Sequence, residues 1–297
     1  MAETKGFSAH PAHWWTAEPG TGAVVCGLCP RACRIAMGKT GYCGVRFNLS
    51  GRLLSLSYGH PVSVAIDPIE KKPLRHFLPG TKVLSFGTFG CNLGCVFCQN
   101  HTLSRQTYSA GREWETVSPQ DIVALTQQQR CPSIAFTYNE PTVFAEYAMD
   151  IARLARNAGL KTVLVSNGFI SDEASDDLYP LMDAANIDMK GFSEEFYQKM
   201  CGGSLHVVLA SLLKLKRLGV HLEITTLVIP GKNDSDEMTN DWLDWVEENL
   251  GKETILHFSA YFPAYQCRIP ATTPATLHHI RELCHDRGFH NIYLGNI

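Results

Sequence analysis

From residue 82 onward, short apolar runs alternate with amphipathic helical patterns six times. Val83-Leu84-Ser85-Phe86-Gly87 reads as the first strand, Ile134-Ala135-Phe136-Thr137 as the second and Thr162-Val163-Leu164-Val165 as the third. The fourth is Ala185-Asn186-Ile187-Asp188-Met189, the fifth covers residues 222–228, and the sixth is Ile255-Leu256-His257-Phe258. Residues 291–294 add a further short strand. The helices between them carry start signals: Ser118-Pro119, Pro141, Ser171, Asp234 or Ser235, and Thr273-Pro274. Gly159 stops the one that begins at Pro141. Apolar strands separated by helices imply a parallel sheet buried on both faces. A closed (β/α)8 barrel usually needs about 250 residues. The repeats occupy only residues 82–297, so the expected fold is α/β, a partial (β/α)6 TIM-like barrel. Residues 1–80 are expected to form a small Cys-rich appendage and linker, and residues 81–297 the main domain.

Composition narrows the function class. The chain has 297 residues, 45% hydrophobic and 19% charged, enough for a full-size core. A net charge of −3 gives no reason to expect a nucleic-acid partner. No apolar run approaches the ~18 residues of a membrane span. Residues 1–6 show no basic stretch leading into an apolar one, so no secretory signal is expected. Eleven cysteines in such a chain are best read as reduced thiols serving metal in the cytoplasm.

The cysteines fall into two sets. Cys91, Cys95 and Cys98 stand as C-x3-C-x2-C immediately after the first strand, within Cys91-Asn92-Leu93-Gly94-Cys95-Val96-Phe97-Cys98-Gln99-Asn100. A cubane [4Fe–4S] cluster normally takes four thiolates, so three leave one iron open. An open iron can bind and activate a ligand, whereas a fully ligated cluster only carries electrons. Zinc knuckles favour paired C-x2-4-C elements, which this loop does not repeat. The second set is Cys26, Cys29, Cys33 and Cys43, spaced C-x2-C-x3-C-x9-C. Three readings stand for it: a closed Zn2+ site, a second iron–sulfur cluster, or free thiols.

On these sheets, chemistry sits at the C-terminal ends of the strands. Tyr138-Asn139-Glu140-Pro141 follows strand two, Ser166-Asn167-Gly168 strand three, and Asp188-Met189-Lys190 strand four. Val228 ends strand five, and His257 and Tyr261 end strand six. Such a rim suits a zwitterion joined to a nucleoside. Cys201 after strand four and Tyr261 after strand six are weaker candidates, the first for a reactive thiol and the second for the wall of a substrate pocket. Glu70-Lys71-Lys72 reads either as a solvated linker or as a segment over the substrate mouth.

The cysteine spacing resembles the signature of the radical S-adenosylmethionine (SAM) enzymes. In that family SAM binds the open iron and is cleaved reductively to a 5′-deoxyadenosyl radical, which abstracts hydrogen from a substrate. Asn167-Gly168 and Asp188-x-Lys190 resemble the branch containing the pyruvate formate-lyase activating enzyme, as do Phe97 and Asn100 around the last cluster cysteine. That branch has Gly-Gly where this chain has Tyr138-Asn139, so the Asn139 side chain is expected to reach SAM. A cation-binding Asp of that branch is replaced by Val165. The resemblance implies cofactor contacts from Phe97, Asn100, Asn139, Glu140, Ser166, Asn167, Asp188, Lys190, Val228 and His257. It also implies a flavodoxin- or ferredoxin-type electron donor.

Asp67-Pro68-Ile69-Glu70-Lys71-Lys72-Pro73-Leu74, Tyr138-Asn139-Glu140-Pro141-Thr142 and the N-terminal cysteines resemble more narrowly the radical SAM member of the AmmeMemoRadiSam system. That resemblance implies AMMECR1-like and Memo-like proteins as partners but names no reaction. Many members extend further, so a short or truncated member is expected. Three functions remain in view: a hydrogen-abstracting oxidoreductase with its own small-molecule or protein substrate, an activase for a glycyl-radical enzyme, or a non-catalytic metal-binding scaffold.

Overall fold

A computed structural model describes residues 10–106 and 115–297. Residues 1–6, read above for a leader, lie outside the described residues. The N-terminal module consists of short strands: β1 (His10–Pro11), β2 (Trp15–Ala17), β3 (Val24–Cys26), β4 (Arg34–Ile35), β5 (Arg46–Leu49) and β6 (Arg52–Ser55). They pair as two antiparallel sheets, β1-β6-β5 and β2-β3-β4. The β5–β6 hairpin turns through Ser50 and Gly51, both at positive φ (52° and 84°), as a two-residue loop matched to strand twist requires. Strands this short are not stable alone. The module is anchored by a bidentate pair between Arg46 and Glu146, 2.6 and 2.8 Å, with both side chains 1% exposed.

The main sheet holds β7 (Ser63–Pro68), β8 (Lys82–Gly87), β9 (Ser133–Phe136), β10 (Lys161–Ser166), β11 (Ala184–Asp188), β12 (His221–Val228), β13 (Ile255–Ala260) and β14 (Ile292–Gly295). Its order is β14-β13-β12-β11-β10-β9-β8-β7. β8 to β14 are parallel neighbours in chain order, and β7 runs antiparallel along β8. The two ends of the sheet do not pair, so the barrel is partial, as expected. β14 extends it past six units, and β7 brings residues 63–68 into the sheet. β9 is buried at all four positions because helices cover one face and the barrel interior fills the other.

The helices are α1 (His101–Ser104), α2 (Pro119–Gln128), α3 (Ala145–Asn157), α4 (Asp172–Leu178), α5 (Glu194–Phe196), α6 (Leu205–Arg217), α7 (Asp236–Asn249) and α8 (Pro274–Asp286). Ser118 and Asp121 form a capping box on α2. The Ser171, Ser235 and Thr273 hydroxyls cap α4, α7 and α8. Pro141 opens a 3-10 turn that leads into α3. None of the described helices is long and apolar enough to cross a membrane.

The segment between β7 and β8 is not over the mouth. Pro68 pairs with Lys82, so the chain leaves the sheet at the N-terminal end of the strands. There Asn186 Nδ2 donates to Pro73 O at 2.8 Å, and Glu223 accepts the Arg75 and His76 backbone N–H groups at 2.9–3.0 Å. His76 Nε2 meets Tyr293 Oη of β14 at 2.6 Å. The segment therefore crosses from the first strand to the last and forms a floor under the open barrel. Nor is it a solvated linker: Lys72 is 3% exposed and pairs with Asp67 at 2.7 Å.

Candidate active site

A cavity of about 360 Å³ opens at the C-terminal ends of the strands. Cys91, Cys95 and Cys98 line it, together with Phe97, Asn100, Asn139, Glu140, Asn167, Asp188 and Lys190. Residues from three successive strand ends thus meet the cysteine loop in one space. Lys71 and Pro73 reach it from the floor segment.

Each thiol has a polar neighbour. Cys91 Sγ accepts the Leu93 N–H at 3.4 Å and Asn167 Nδ2 at 3.7 Å. Cys98 Sγ lies 3.1 Å from Ser104 Oγ. Cys95 is hydrogen-bonded to Cys201, and that contact holds its thiol below the ordinary cysteine value. Burial pushes the Cys91 thiol up. Among the described residues, no three His, Cys, Asp or Glu side chains are grouped as ligands of a single metal ion. A cubane does not require such convergence, because each thiolate binds a different iron and the three surround a body. Three thiols of one loop facing one cavity, with N–H and hydroxyl groups at sulfur, fit a cluster with one open iron.

The turn after β9 is tightly held. Tyr138 adopts φ +68°. The Asn139 side chain donates to Thr88 Oγ1 at 3.1 Å and Gly90 O at 2.9 Å, and its oxygen accepts the Thr88 N–H at 2.9 Å. That amide is committed to the start of the cysteine loop, so the expectation that it reaches a ligand amino group is not met. Glu140 accepts from Thr142 N and Oγ1, Ser166 Oγ and Asn167 N, all within 2.9 Å. Four donors fill the acceptor sites of a carboxylate. Burial nonetheless raises its pKa. Glu140 therefore positions the β9 and β10 ends, and Ser166 serves it from 2% exposure without lining the cavity.

Asp188 and Lys190 pair at 2.7 Å on the cavity wall. Burial works against the Lys190 ammonium, but the Asp188 carboxylate, with the Cys95 sulfur when it is ionised, holds its pKa above the ordinary lysine value. It stays charged beside the cysteines, where a carboxylate ligand would be met.

Four further expectations are corrected. Val228 is fully buried and faces outward, packed with Trp242 and Ile280 under α7 and α8. His257 lies mid-strand, because β13 runs on to Ala260, and its Nε2 contacts Glu223 Oε2 at 2.6 Å away from the cavity wall. Tyr261 is fully buried and donates to Cys267 O at 2.9 Å. Cys201 is fully buried behind Cys95. The sequence reading missed Thr225, Leu227 and Ser259, which do line the cavity. Strand alternation was the available signal: Thr225 and Leu227 share a face of β12 that Val228 cannot share.

Comparison with known proteins agrees with this geometry. The family model described as the radical SAM superfamily matches residues 86–243. An uncharacterised protein of Methanocaldococcus jannaschii is 40% identical over 275 residues, 92% of this chain and 81% of that protein. The pyruvate formate-lyase 1-activating enzyme of Escherichia coli is 27% identical over 169 residues, 54% of this chain and 65% of that enzyme's length. A radical SAM methyltransferase from Sphaerobacter thermophilus shares the fold at a TM-score of 0.56 and 13% identity, covering 73% of this chain and 67% of its own.

Proposed function

The chain belongs to the radical SAM superfamily, enzymes that use a [4Fe–4S] cluster and SAM, and from that premise we propose that Cys91, Cys95 and Cys98 hold the cluster and that the cavity beside them holds SAM for hydrogen abstraction from a substrate of the chain's own pathway. The observation that carries this reading is the opening of all three thiols onto one cavity that also presents Lys190. When bound, the cluster supplies the electron for reductive cleavage of the SAM sulfonium. The residues around it bind and orient. Lys190, held charged by Asp188, receives the SAM carboxylate. Asn167 steadies Cys91 through its amide and is itself fixed by Glu140. Leu93, Phe97 and Leu227 give apolar wall that limits water around the reacting atoms.

The electron comes from a flavodoxin- or ferredoxin-type donor. The Asp67-to-Leu74 motif, folded as the barrel floor, and the Tyr138-Asn139-Glu140-Pro141-Thr142 turn support placing the chain in the AmmeMemoRadiSam system, with AMMECR1-like and Memo-like proteins as partners. Eleven free cysteines suit the reducing cytoplasm. The test is anaerobic reconstitution followed by assay of 5′-deoxyadenosine, with deuterated candidate substrates to follow the abstracted hydrogen. Activity is expected from the wild type and none from the Cys91→Ala/Cys95→Ala/Cys98→Ala variant. Cleavage retained by that variant overturns the assignment.

A second reading is a glycyl-radical enzyme activase, favoured by the 27% identity to the pyruvate formate-lyase activating enzyme. It predicts an oxygen-labile radical on a large partner protein after incubation with SAM and reductant. Deuterium transfer from a small molecule to 5′-deoxyadenosine would count against it.

A further inference from the structure

The four N-terminal cysteines also share a cavity. Cys26, Cys29, Cys33 and Cys43 line one enclosed space with Leu28, Ile35 and Val143. Arg46 lines it too, 1% exposed. Its two terminal nitrogens are bound to Glu146, but its Nε is buried with no hydrogen-bond partner among the described residues. A buried donor without an acceptor is costly, and here it stands in the wall of a thiol-lined space.

The module around these thiols is poorly supported by its own strands. β2, β3 and β4 have three, three and two residues. All eleven cysteines are free, so no disulfide staples the module. A unit this small usually needs a metal or a disulfide.

The cysteine arrangement discriminates between metals. Zinc, bound at about 2.3 Å by each thiolate, demands ligands converging on one point. No three of these thiols are grouped in that way. The same dispersed arrangement is seen for Cys91, Cys95 and Cys98. A cubane takes one thiolate at each corner and offers sulfide acceptors to a neighbouring N–H.

We propose that Cys26, Cys29, Cys33 and Cys43 bind a second [4Fe–4S] cluster, fully ligated by thiolates, with the unpartnered Arg46 Nε as a hydrogen-bond donor to it. The two cysteine sets are adjacent. Asn92 lines the N-terminal cavity, and its Oδ1 lies 4.0 Å from Cys91 Sγ. The Cys43 carbonyl packs so closely on Gly90 that a Cβ there would lie 2.4 Å from it. With no open iron, the second cluster is closed to SAM.

The Cys91→Ala/Cys95→Ala/Cys98→Ala variant, reconstituted anaerobically with iron and sulfide, isolates the site. It should retain about four irons and four sulfides per chain, and its reduced EPR signal should not change on adding SAM. The wild type should hold about eight irons and show both a SAM-sensitive and a SAM-insensitive signal. Cys26→Ser/Cys29→Ser should lose only the SAM-insensitive signal. One zinc per chain without sulfide, or a metal-free variant whose four thiols all alkylate in folded protein, overturns the proposal. Should the triple variant not fold, a wild type holding about four irons and only the SAM-sensitive signal overturns it equally. A wild type that shows the SAM-insensitive signal alone would strike the SAM-cluster assignment and leave this one standing.

Discussion

The Tyr138 hydroxyl donates to Asp67 Oδ2 at 2.7 Å, and Asp67 pairs with Lys72, whose ammonium lies 4.4 Å from the centre of the Tyr138 ring. This closed triangle explains how a tyrosine occupies a left-handed position, φ +68°, that costs a non-glycine residue roughly 1–2 kcal/mol. It also links the barrel floor to the cysteine loop, because Asn100 Nδ2 donates to the Tyr138 carbonyl at 2.8 Å. Tyr138→Phe keeps the ring and the strained backbone but removes a hydrogen bond to a charged acceptor. We expect a loss of roughly 1.5–3 kcal/mol in urea unfolding. An unchanged midpoint would show that the triangle does not offset the strain.

Glu223 makes stability depend on acid. Although burial opposes its ionisation, His221, His257 and the Arg75 and His76 N–H groups lower its pKa from 4.5 to about 2. A lowered carboxyl pKa stabilises the fold above the unfolded value, and that contribution fades as pH falls from about 4.5 towards 2. At about 1.4 kcal/mol per pH unit it amounts to ~3 kcal/mol at neutral pH. Glu223→Gln should lower stability at pH 7 by that order and flatten the acid limb of the stability curve. A variant with the wild-type acid limb would show that Glu223 is not the group responsible.

What could be read from sequence was local. Ser118-Pro119, Ser171, Ser235 and Thr273 announced their helices because a cap is a contact within four residues. The strand ends were legible because each sits beside a cap or a turn. Facing was less so. Read from sequence, His257 sits near the end of a strand that stops at Phe258, and two more residues of pairing with β12, Ser259 and Ala260, put it inside. The floor segment was not legible at all. Its position depends on Glu223, about 150 residues away in sequence, and nothing in Glu70-Lys71-Lys72 tells the buried Lys72 from the exposed Lys71 beside it.

Lys190 separates ligand binding from folding. Its pairing with Asp188 is partly exposed, with side chains 18% and 31% accessible, so the pair adds little stability. A charge-assisted bond to a carboxylate in the cavity is stronger than a neutral one. Lys190→Ala should therefore weaken SAM binding to reconstituted protein by more than ~1 kcal/mol, that is more than about fivefold in Kd, with little change in unfolding midpoint. Unchanged SAM affinity would remove Lys190 from the ligand site.

Leu227 and Val228 are neighbours in sequence and point to opposite sides of β12. Leu227 lines the cavity, whereas Val228 is fully buried against α7 and α8. Truncating each to alanine removes apolar contact of the same kind in different places. Val228→Ala should cost roughly 2 kcal/mol of stability, through lost burial and an unfilled space, with SAM affinity unaltered. Leu227→Ala should do the reverse: a small effect on unfolding and a Kd for SAM raised by ~1 kcal/mol, about fivefold. Both quantities are measurable on the same reconstituted samples, by calorimetric titration and by denaturant unfolding. The crossed outcome, with Val228→Ala weakening SAM and Leu227→Ala leaving it intact, would mean that β12 presents its other face to the ligand. Thr225 and Ser259 would then leave the cavity wall as well, since they depend on the same alternation.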